Sequence, residues 1–397
     1  MKEAFDFDKE YGIVLEGGGA KGAYQIGVWK AFLDCGVKIK GVAGVSVGAL
    51  NGALICMGDY EKAVDLWRNI SYSRIMKVDD SQMDNLINKR FKELNLHAVQ
   101  KQGIKFIVDG GLDITPLKQL IEENLDEKII KASAIEFIMG TFSVSKMKEV
   151  EISAEEAEEG CLKDYLMASA YLPLFKNERL HGKKYLDGGI LNNVPINMLV
   201  DRGYQDIIVV RIFGMGLEKK VIIPEGVNVI YIAPKVELCN ILEFNKKKAA
   251  RNITLGYYDA MRVLKSLAGN DYYIESIKSE KDYLEALLQT DEKSVVDLLM
   301  LYKLENYAGG TRVRTLTEAV YPQLANTFKL CKCWEYSDLY YAILEFCARK
   351  LRIQKYKIYS EREFCRLIEE KSLNRNQEDE NIDVFMNFAL AIIKNQI

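Results

Sequence analysis

Two consecutive strand–turn–helix units near the start of the chain constrain its fold more than any other feature. In the first, the apolar run of residues 11–15 leads through the glycine-rich turn of residues 17–22 into an apolar helical segment. In the second, residues 38–45 lead through a turn that contains Ser46 into another apolar helix. Strands that alternate with helices in this way favour a mostly parallel sheet covered by helices on both faces.

The second turn has the pattern of a nucleophile elbow. Ser46 stands between Gly44 and Gly48, where a strand must reverse sharply into a helix. A strained turn of this kind lifts the serine oxygen clear of the backbone, and side chains at the flanking positions would clash. The hydroxyl would also lie near the positive end of the following helix. Because so short a pattern arises by chance in long chains, the alternative is a tight turn with an incidental serine.

The first turn allows three interpretations. The spacing of glycines in residues 17–22 fits a dinucleotide-binding turn, but the acidic residue that would hold a ribose is missing from the end of the next strand. A phosphate-binding P-loop needs a lysine where this chain has Ala23. In the third interpretation, an oxyanion hole, the N–H groups of Gly18, Gly19 and Ala20 point at one atom. Only this interpretation involves the neighbouring serine.

Three motifs in a fixed order resemble those of the patatin-like phospholipase family. That family carries G-G-G-x-[RK]-G, then G-x-S-x-G, then D-G-[GA], and the matching residues here are 17–22, 44–48 and 187–189. The resemblance covers roughly residues 8–265. It implies an α/β fold of three layers, with a mostly parallel sheet flanked by helices on both faces.

The resemblance also implies the roles of individual residues. The nucleophile and base would be Ser46 and Asp187; the oxyanion hole would comprise Gly17, Gly18, Gly19, Ala20, Lys21 and Gly22; the elbow glycines would be Gly44 and Gly48, and those after the acid Gly188 and Gly189.

The histidines favour a catalytic dyad over a triad. The chain has only two, His97 and His181, and neither follows Asp187, where an α/β-hydrolase triad would place its histidine. A Ser-Asp dyad, for which the family is known, remains. Because a carboxylate of ordinary pKa is a weak base, the acid must lie directly against the serine in a water-poor site. The oxyanion hole must then carry much of the stabilisation.

Two stretches around the expected site have open interpretations. Residues 71–116 are polar and irregular, which is typical either of a lid over an active site or of a surface excursion. They include a second Asp-Gly-Gly triplet at Asp109, which we interpret as part of a turn because a helix start follows it. Residues 171–175 are largely apolar and either line an acyl-chain pocket or pack in the core.

Length and composition predict two domains and exclude some partners. The 397 residues exceed the size of one compact domain, and we expect a hydrolase domain over residues 1–268 and a helical domain over residues 269–397, whose tyrosines form either an interface or a core. The net charge of −3 argues against nucleic-acid binding. The eight cysteines are scattered, and Cys331 and Cys333 lack the further ligands of a zinc site, so we expect neither a metal nor another cofactor.

Compartment and membrane contact follow from the same features. The sequence shows no signal-peptide core and no run that could span a bilayer, which predicts a soluble cytoplasmic protein. The basic residues within 246–251 would either contact anionic lipid headgroups peripherally or form a solvated helix face, and dilution by acidic neighbours favours the second. The sequence carries no signal of the oligomeric state.

The whole pattern leads to one functional hypothesis and two rivals. We interpret the chain as a serine acyl hydrolase of the phospholipase A or lysophospholipase type, which cleaves carboxylic ester bonds of phospholipids or related lipids. The first rival is an interaction protein on a catalytically idle patatin scaffold, with the helical domain as its working part. The second is a nucleotide-binding Rossmann protein.

Overall fold

The computed structural model describes residues 4–90, 111–176, 179–180, 182–307, 310–374 and 380–394. Within them the chain forms two compact units, one over Phe5–Val263 and one from Leu264 onward. We call these the sheet unit and the helical unit. Each contains a cluster of buried apolar side chains of its own.

A seven-stranded sheet organises the sheet unit. Its strands are β1 (Glu10–Leu15), β2 (Lys38–Val45), β3 (Glu136–Ser143), β4 (Lys148–Ser153), β5 (Tyr185–Asp187), β6 (Asp206–Val210) and β7 (Asn228–Ile232). The spatial order is β4-β3-β2-β1-β6-β7, and β5 pairs with β3 off this path. All neighbouring pairs are parallel except those that β3 makes with β4 and β5. The predicted mostly parallel sheet is confirmed.

Helices connect these strands. They span Ala23–Cys35, Val47–Met57, Tyr60–Arg68, Tyr72–Ile75, Asp80–Arg90, Thr115–Asn124, Glu127–Lys131, Leu162–Ser169, Ile196–Val200 and Lys246–Leu264, with 3₁₀ turns at Gly19–Gly22 and Gly188–Ile190. The last long helix is shorter than the periodicity of residues 238–267 predicts. It begins at Lys246 because the Asn245 side chain accepts hydrogen bonds from the N–H groups of Lys247 and Lys248, and so caps the first turn.

The sheet is covered on both faces, as strand geometry requires. Consecutive residues of a strand point to opposite faces. On β2, Ala43 packs in one apolar cluster with the helix Ile196–Val200. Its neighbour Val42 lies under Gly52 of the helix Val47–Met57, where an added Cβ would be only 3.0 Å from the valine Cγ1. The three layers that the sequence predicts are therefore present.

The helical unit contains helices and one small sheet. The helices span Glu280–Leu288, Glu292–Leu301, Arg312–Arg314, Tyr321–Thr327, Tyr336–Lys350, Glu361–Ser372 and Glu380–Lys394, with a π-helical turn at Thr315–Val320 and a 3₁₀ turn at Glu305–Tyr307. Strands β8 (Tyr273–Glu275) and β9 (Ile358–Ser360) pair in parallel. The sequence did not predict them, because three residues are too few to show alternation.

Tyrosines of the helical unit pack in its core. Tyr340, Tyr341 and Tyr359 are buried with the aliphatic side chains of the unit. The hydroxyls of Tyr283 and Tyr341 share a hydrogen bond of 2.7 Å, and the Tyr341 hydroxyl also donates to Glu361. A buried hydroxyl needs such a partner, so these contacts favour the core over an interface for these residues. No helix in the described part of either unit is long and apolar enough to cross a membrane.

Candidate active site

Ser46 occupies a strained turn between β2 and the helix Val47–Met57. Its φ of 54° and ψ of −129° are unusual for a non-glycine residue, and such conformations cost about 1–3 kcal/mol. Its backbone N–H donates to the Ser169 hydroxyl at 2.8 Å, and that hydroxyl donates to the Gly140 carbonyl at 2.6 Å. The buried Ser169 therefore ties the turn to strand β3.

The glycines that flank Ser46 leave no room for a side chain. A Cβ at Gly44 would lie 2.5 Å from the carbonyl carbon of Gly48, and a Cβ at Gly48 would lie 2.2 Å from the carbonyl oxygen of Leu15. Both contacts involve backbone, which cannot move aside without disturbing the sheet. The geometry that exposes the serine oxygen at a strand-to-helix turn therefore requires glycine at both positions.

Asp187 is held by backbone on both sides. It ends β5, which pairs antiparallel with β3, and its N–H donates to the Tyr171 carbonyl at 2.8 Å. Its Oδ1 accepts a hydrogen bond of 2.8 Å from the Gly189 N–H in the turn that follows. Its Oδ2 has no hydrogen-bond partner among the residues that the structure describes. One oxygen thus orients the buried carboxylate while the other stays available.

The electrostatics of Asp187 link it to Ser46. Burial raises the pKa of this carboxyl group to about 6, whereas the Ser46 hydroxyl and the Gly189 N–H lower it because they stabilise the charged form. The hydroxyl is therefore near enough to influence the carboxylate, although it completes no hydrogen bond to Oδ2. Hydrogen bonds of catalytic groups are often long in an empty site and tighten with substrate.

Two N–H groups of the glycine-rich turn differ from their neighbours in their hydrogen bonding. Those of Gly18 and Gly19 donate no backbone hydrogen bond within the part of the chain that the structure describes. The Ala20 N–H, which the sequence analysis counted as a third donor, is occupied, since it donates to the Ile241 carbonyl at 2.8 Å. The available pair is therefore Gly18 and Gly19.

The rest of this turn has structural contacts. The Lys21 N–H donates to the Gly18 carbonyl at 3.2 Å, and the Lys21 ammonium group donates to the Phe213 carbonyl. A Cβ at Gly22 would lie 2.4 Å from the Val47 side chain, so this glycine allows close packing behind the elbow. These contacts hold the shape of the turn.

Asn193 connects the glycine turn with the segment after Asp187. Its carbonyl accepts the Gly17 N–H at 3.2 Å, and its side-chain amide donates to the Gly17 carbonyl at 3.1 Å. The same amide donates to Glu16 at 3.2 Å. The residue is fully enclosed, so these bonds fix the distance between the two turns. The sequence alone does not reveal this role, and the one signal it offers is the position of Asn193 six residues after Asp187.

Glu16 is a buried carboxylate that organises the loop after β6. It accepts hydrogen bonds from the backbone N–H groups of Ile212, Phe213 and Gly214 at 2.7, 3.0 and 2.9 Å, and from Arg211 Nε at 2.9 Å. Sequence reasoning missed this role. The available signal was an acidic residue at the end of an otherwise buried apolar strand, where an unpaired charge would be costly.

An apolar cleft opens beside Ser46. Its empty space of about 670 Å³ includes the part that is open to solvent, and Gly19 and Ser46 line it. Its apolar lining includes Leu50, Leu54, Trp67, Ile75, Leu172 and Phe175. The pocket interpretation of residues 171–175 thus applies to Leu172 and Phe175, whereas Tyr171 is buried outside the lining. Among the described residues of the stretch 71–116, Ile75 lines this wall.

Both histidines, His97 and His181, and the aspartate of the second Asp-Gly-Gly triplet, Asp109, lie outside the described residues. Residues 91–110 of the stretch 71–116 also lie outside the described residues, so the interpretation of that stretch as a lid or as a surface excursion stays a prediction. No group of three or more His, Cys, Asp or Glu side chains in the described ranges is arranged to hold a metal ion.

Comparison with known proteins identifies the sheet unit. Residues 13–200 match the family described as Patatin-like phospholipase. Neuropathy target esterase sws of Drosophila melanogaster is 24% identical over 201 residues, which are 51% of this chain and 13% of that protein. Its counterpart in Drosophila persimilis is 58% identical over 45 residues, which are 11% of this chain and 3% of that protein. The chain thus spans a small part of the length of these relatives.

One solved structure also aligns with most of the chain. VipD from Legionella pneumophila has a TM-score of 0.41 and 14% identity, with 96% of this chain and 91% of that chain covered. A score this low does not establish a common fold, so the assignment rests on sequence. The match thus assigns residues 13–200, a little under half of the chain, to the patatin-like phospholipase family.

Proposed function

We propose that this chain is a serine acyl hydrolase that cleaves carboxylic ester bonds of phospholipids or related lipids with a Ser46–Asp187 dyad. The observation that carries the proposal is the position of Ser46, in a strained strand-to-helix turn beside a buried carboxylate and in the wall of an apolar cleft. Membership of the patatin-like phospholipase family supports the same class of reaction.

Asp187 is suited to act as the general base. Burial raises its pKa to about 6, so the carboxylate is a better proton acceptor than an ordinary aspartate and is still ionised at neutral pH. Its unpartnered Oδ2 would accept the hydroxyl proton as Ser46 Oγ attacks the ester carbonyl carbon. The proton would then pass to the leaving alcohol when the tetrahedral intermediate collapses to an acyl-enzyme. Water would then attack the acyl-enzyme through the same two steps and release the carboxylic acid product.

The N–H groups of Gly18 and Gly19 would stabilise the oxyanion that forms in both steps. A preorganised backbone donor of this kind contributes about 3 kcal/mol to transition-state stabilisation. Ser46 is also the residue before the helix Val47–Met57, whose positive end favours negative charge at this position. With two donors and a helix terminus, the site does not need a histidine to stabilise the intermediate.

The cleft indicates the substrate class. Its lining is almost wholly apolar, and each methylene group of an acyl chain that leaves water for such a surface contributes about 0.8 kcal/mol to binding. A long-chain ester would therefore bind far better than a short polar one. This favours lipid esters as substrates and fits the phospholipase name of the family.

A fluorophosphonate probe tests the proposal. The wild-type protein should be labelled at Ser46, and Ser46→Ala should lose both labelling and hydrolysis of a short-chain p-nitrophenyl ester, because no other hydroxyl occupies the turn. Asp187→Asn should be as inactive as Ser46→Ala. A folded wild-type protein that is not labelled would instead support the interaction-protein rival, and tight NAD or ATP binding that Gly18→Ala abolishes would support the nucleotide-binding rival.

The histidines and the second triplet supply the controls for this experiment. The double variant His97→Ala/His181→Ala and the variant Asp109→Asn should keep substantial activity, because the dyad assigns none of them a role. A folded His181→Ala variant as inactive as Ser46→Ala would make histidine the base. An inactive Asp109→Asn beside an active Asp187→Asn would transfer the role of the acid to Asp109.

A further inference from the structure

The connection between β6 and β7 exposes apolar side chains next to the candidate active site. Phe213, Met215 and Leu217 alternate with glycines along it, and we call residues 213–217 the apolar loop. Met215 and Leu217 are 69% and 62% exposed. Large side chains that stay in water while most others are buried carry a cost, and clusters of them mark interaction sites.

The apolar loop lies against both turns of the candidate site. A Cβ at Gly214 would be 1.8 Å from the Gly17 carbonyl oxygen, and a Cβ at Gly216 would be 2.4 Å from the Gly189 carbonyl oxygen. The Leu217 N–H donates to the Gly189 carbonyl at 3.0 Å. The two glycines thus allow the loop to contact the oxyanion turn and the turn after Asp187 at once.

The backbone of the loop is firmly held although its side chains are exposed. Buried Glu16 accepts the N–H groups of Phe213 and Gly214, and the Lys21 ammonium group donates to the Phe213 carbonyl. Phe213 itself has a φ of 48°, an unfavourable conformation for a bulky residue. A loop that is strained and anchored in this way presents its apolar side chains in a defined direction.

We propose that the apolar loop docks the sheet unit on the surface of a lipid aggregate, a membrane or a micelle, from which the ester enters the cleft. The inference rests on the proposed lipid hydrolase function. The loop packs on the glycine turn, and Gly19 of that turn lines the cleft. Interfacial binding depends on buried apolar area together with cationic side chains.

The charges that follow the loop fit an anionic lipid surface. Glu218, whose charge is paired with Arg211, follows the loop, and Lys219 and Lys220 come next. Lys219 lies 3.4 Å from Glu149, and Lys220 has no ion pair within the described ranges. The basic helix near residue 248 is a weaker candidate, because Lys248 pairs with Glu243 at 2.5 Å and Arg251 donates to the Leu238 carbonyl. Lys248 and Arg251 therefore bind the loop that precedes their helix and are less available to a lipid surface.

Vesicle sedimentation tests the docking proposal without requiring hydrolysis. The full chain with Ser46→Ala should sediment with vesicles of phosphatidylcholine and phosphatidylglycerol, and less with phosphatidylcholine alone. Adding Met215→Ser and Leu217→Ser should lower the partition coefficient by about tenfold or more, because two apolar side chains no longer leave water. The matched control, Met147→Ser with Leu33→Ser, replaces side chains that are 73% and 51% exposed elsewhere on the sheet unit and should bind like the parent.

Three results would overturn the proposal. They are absence of vesicle binding by the parent protein, equal binding by the Met215→Ser/Leu217→Ser variant, and equal loss in the control pair. A dimer in solution that the Met215→Ser/Leu217→Ser pair dissociates, with no vesicle binding, would assign the loop to a second copy of the chain. Hydrolysis of a soluble ester by the wild-type protein, measured separately, shows whether the hydrolase proposal itself fails.

Discussion

The ionisation of Asp187 should set the pH range of the reaction. Its pKa is raised to about 6 by burial, and a protonated carboxyl group cannot accept the proton of Ser46. We therefore expect kcat/KM for a soluble ester to be constant above the pKa and to fall about tenfold per pH unit below it. A pH–rate profile of the wild-type protein measures this. If the activity instead falls around pH 4, which is the pKa range of an exposed aspartate, the base is not a buried carboxylate.

The same pKa gives this prediction a stability control. In the unfolded chain an aspartate ionises near pH 4, so keeping the ionised group buried at neutral pH costs about 3 kcal/mol. This cost appears as the pH rises from about 4 to about 6 and then stays constant. Asp187→Asn should therefore melt above the wild-type protein at pH 7.5, with the difference shrinking towards pH 4. A variant that melts lower at pH 7.5 would show that the carboxylate is better stabilised than its free Oδ2 indicates.

At the scale of elements, Ser169 connects the nucleophile turn to the sheet. Ser169→Ala removes the acceptor of the buried Ser46 N–H, which costs about 1–3 kcal/mol of stability. The loss also removes a hydrogen bond that holds Ser46 in its strained backbone conformation. We expect kcat to fall while KM stays nearly unchanged, since the cleft lining is untouched. Steady-state kinetics on a soluble ester and a thermal melt measure both effects.

Ser143→Ala is the matched control for Ser169→Ala. Ser143 is also buried and is the last residue of β3, and within the described ranges its hydroxyl shares a hydrogen bond with Ser145, at 3.3 Å, and none with the Ser46 turn. Its replacement should leave kcat unchanged. An equal loss of kcat in both variants would mean that general loosening of β3, and not the position of Ser46, limits the reaction.

Elements with strong local patterns could be predicted from the sequence. The buried runs of β1 and β2 and the glycines after them predict strand–turn–helix units, because steric and hydrophobic requirements act within a few residues. The contacts of Ser169 and Glu16 could not be predicted. Ser46 and Ser169, and likewise Glu16 and Ile212, lie more than 100 residues apart in sequence, and only the assembled sheet brings them together. The start of the helix at Lys246 could not be predicted either, because it depends on a single capping side chain, Asn245.

The same distinction holds for the candidate site. The motifs were enough to select Ser46 and Asp187 by resemblance, but not to find which N–H groups are free. That depends on Ile241, whose carbonyl reaches the turn from a loop that the periodicity had assigned to a helix. The raised pKa of Asp187 likewise arises from enclosure by strands that are distant in sequence.

At the scale of the whole molecule, we propose that residues 1–268 and 269–397 are separate folding domains. The apolar cluster on the sheet lies within residues 14–209, and that of the helical unit within residues 272–393. A unit with its own core can in principle fold alone. A cut after residue 268 would also leave the helix Lys246–Leu264 and every residue of the candidate site intact.

A chain that ends at residue 268 should therefore fold and hydrolyse a soluble ester with the kcat/KM of the full chain. The residues of the dyad, the oxyanion turn and the cleft that the structure describes all precede the cut. Circular dichroism, a cooperative melt and ester kinetics test this, with the same truncation carrying Ser46→Ala as the inactive control. The complementary fragment, residues 269–397, should show a helical spectrum of its own. If the shorter chain instead binds a hydrophobic dye and melts without cooperativity while the full chain melts sharply, the two halves form one folding unit and the domain proposal is wrong.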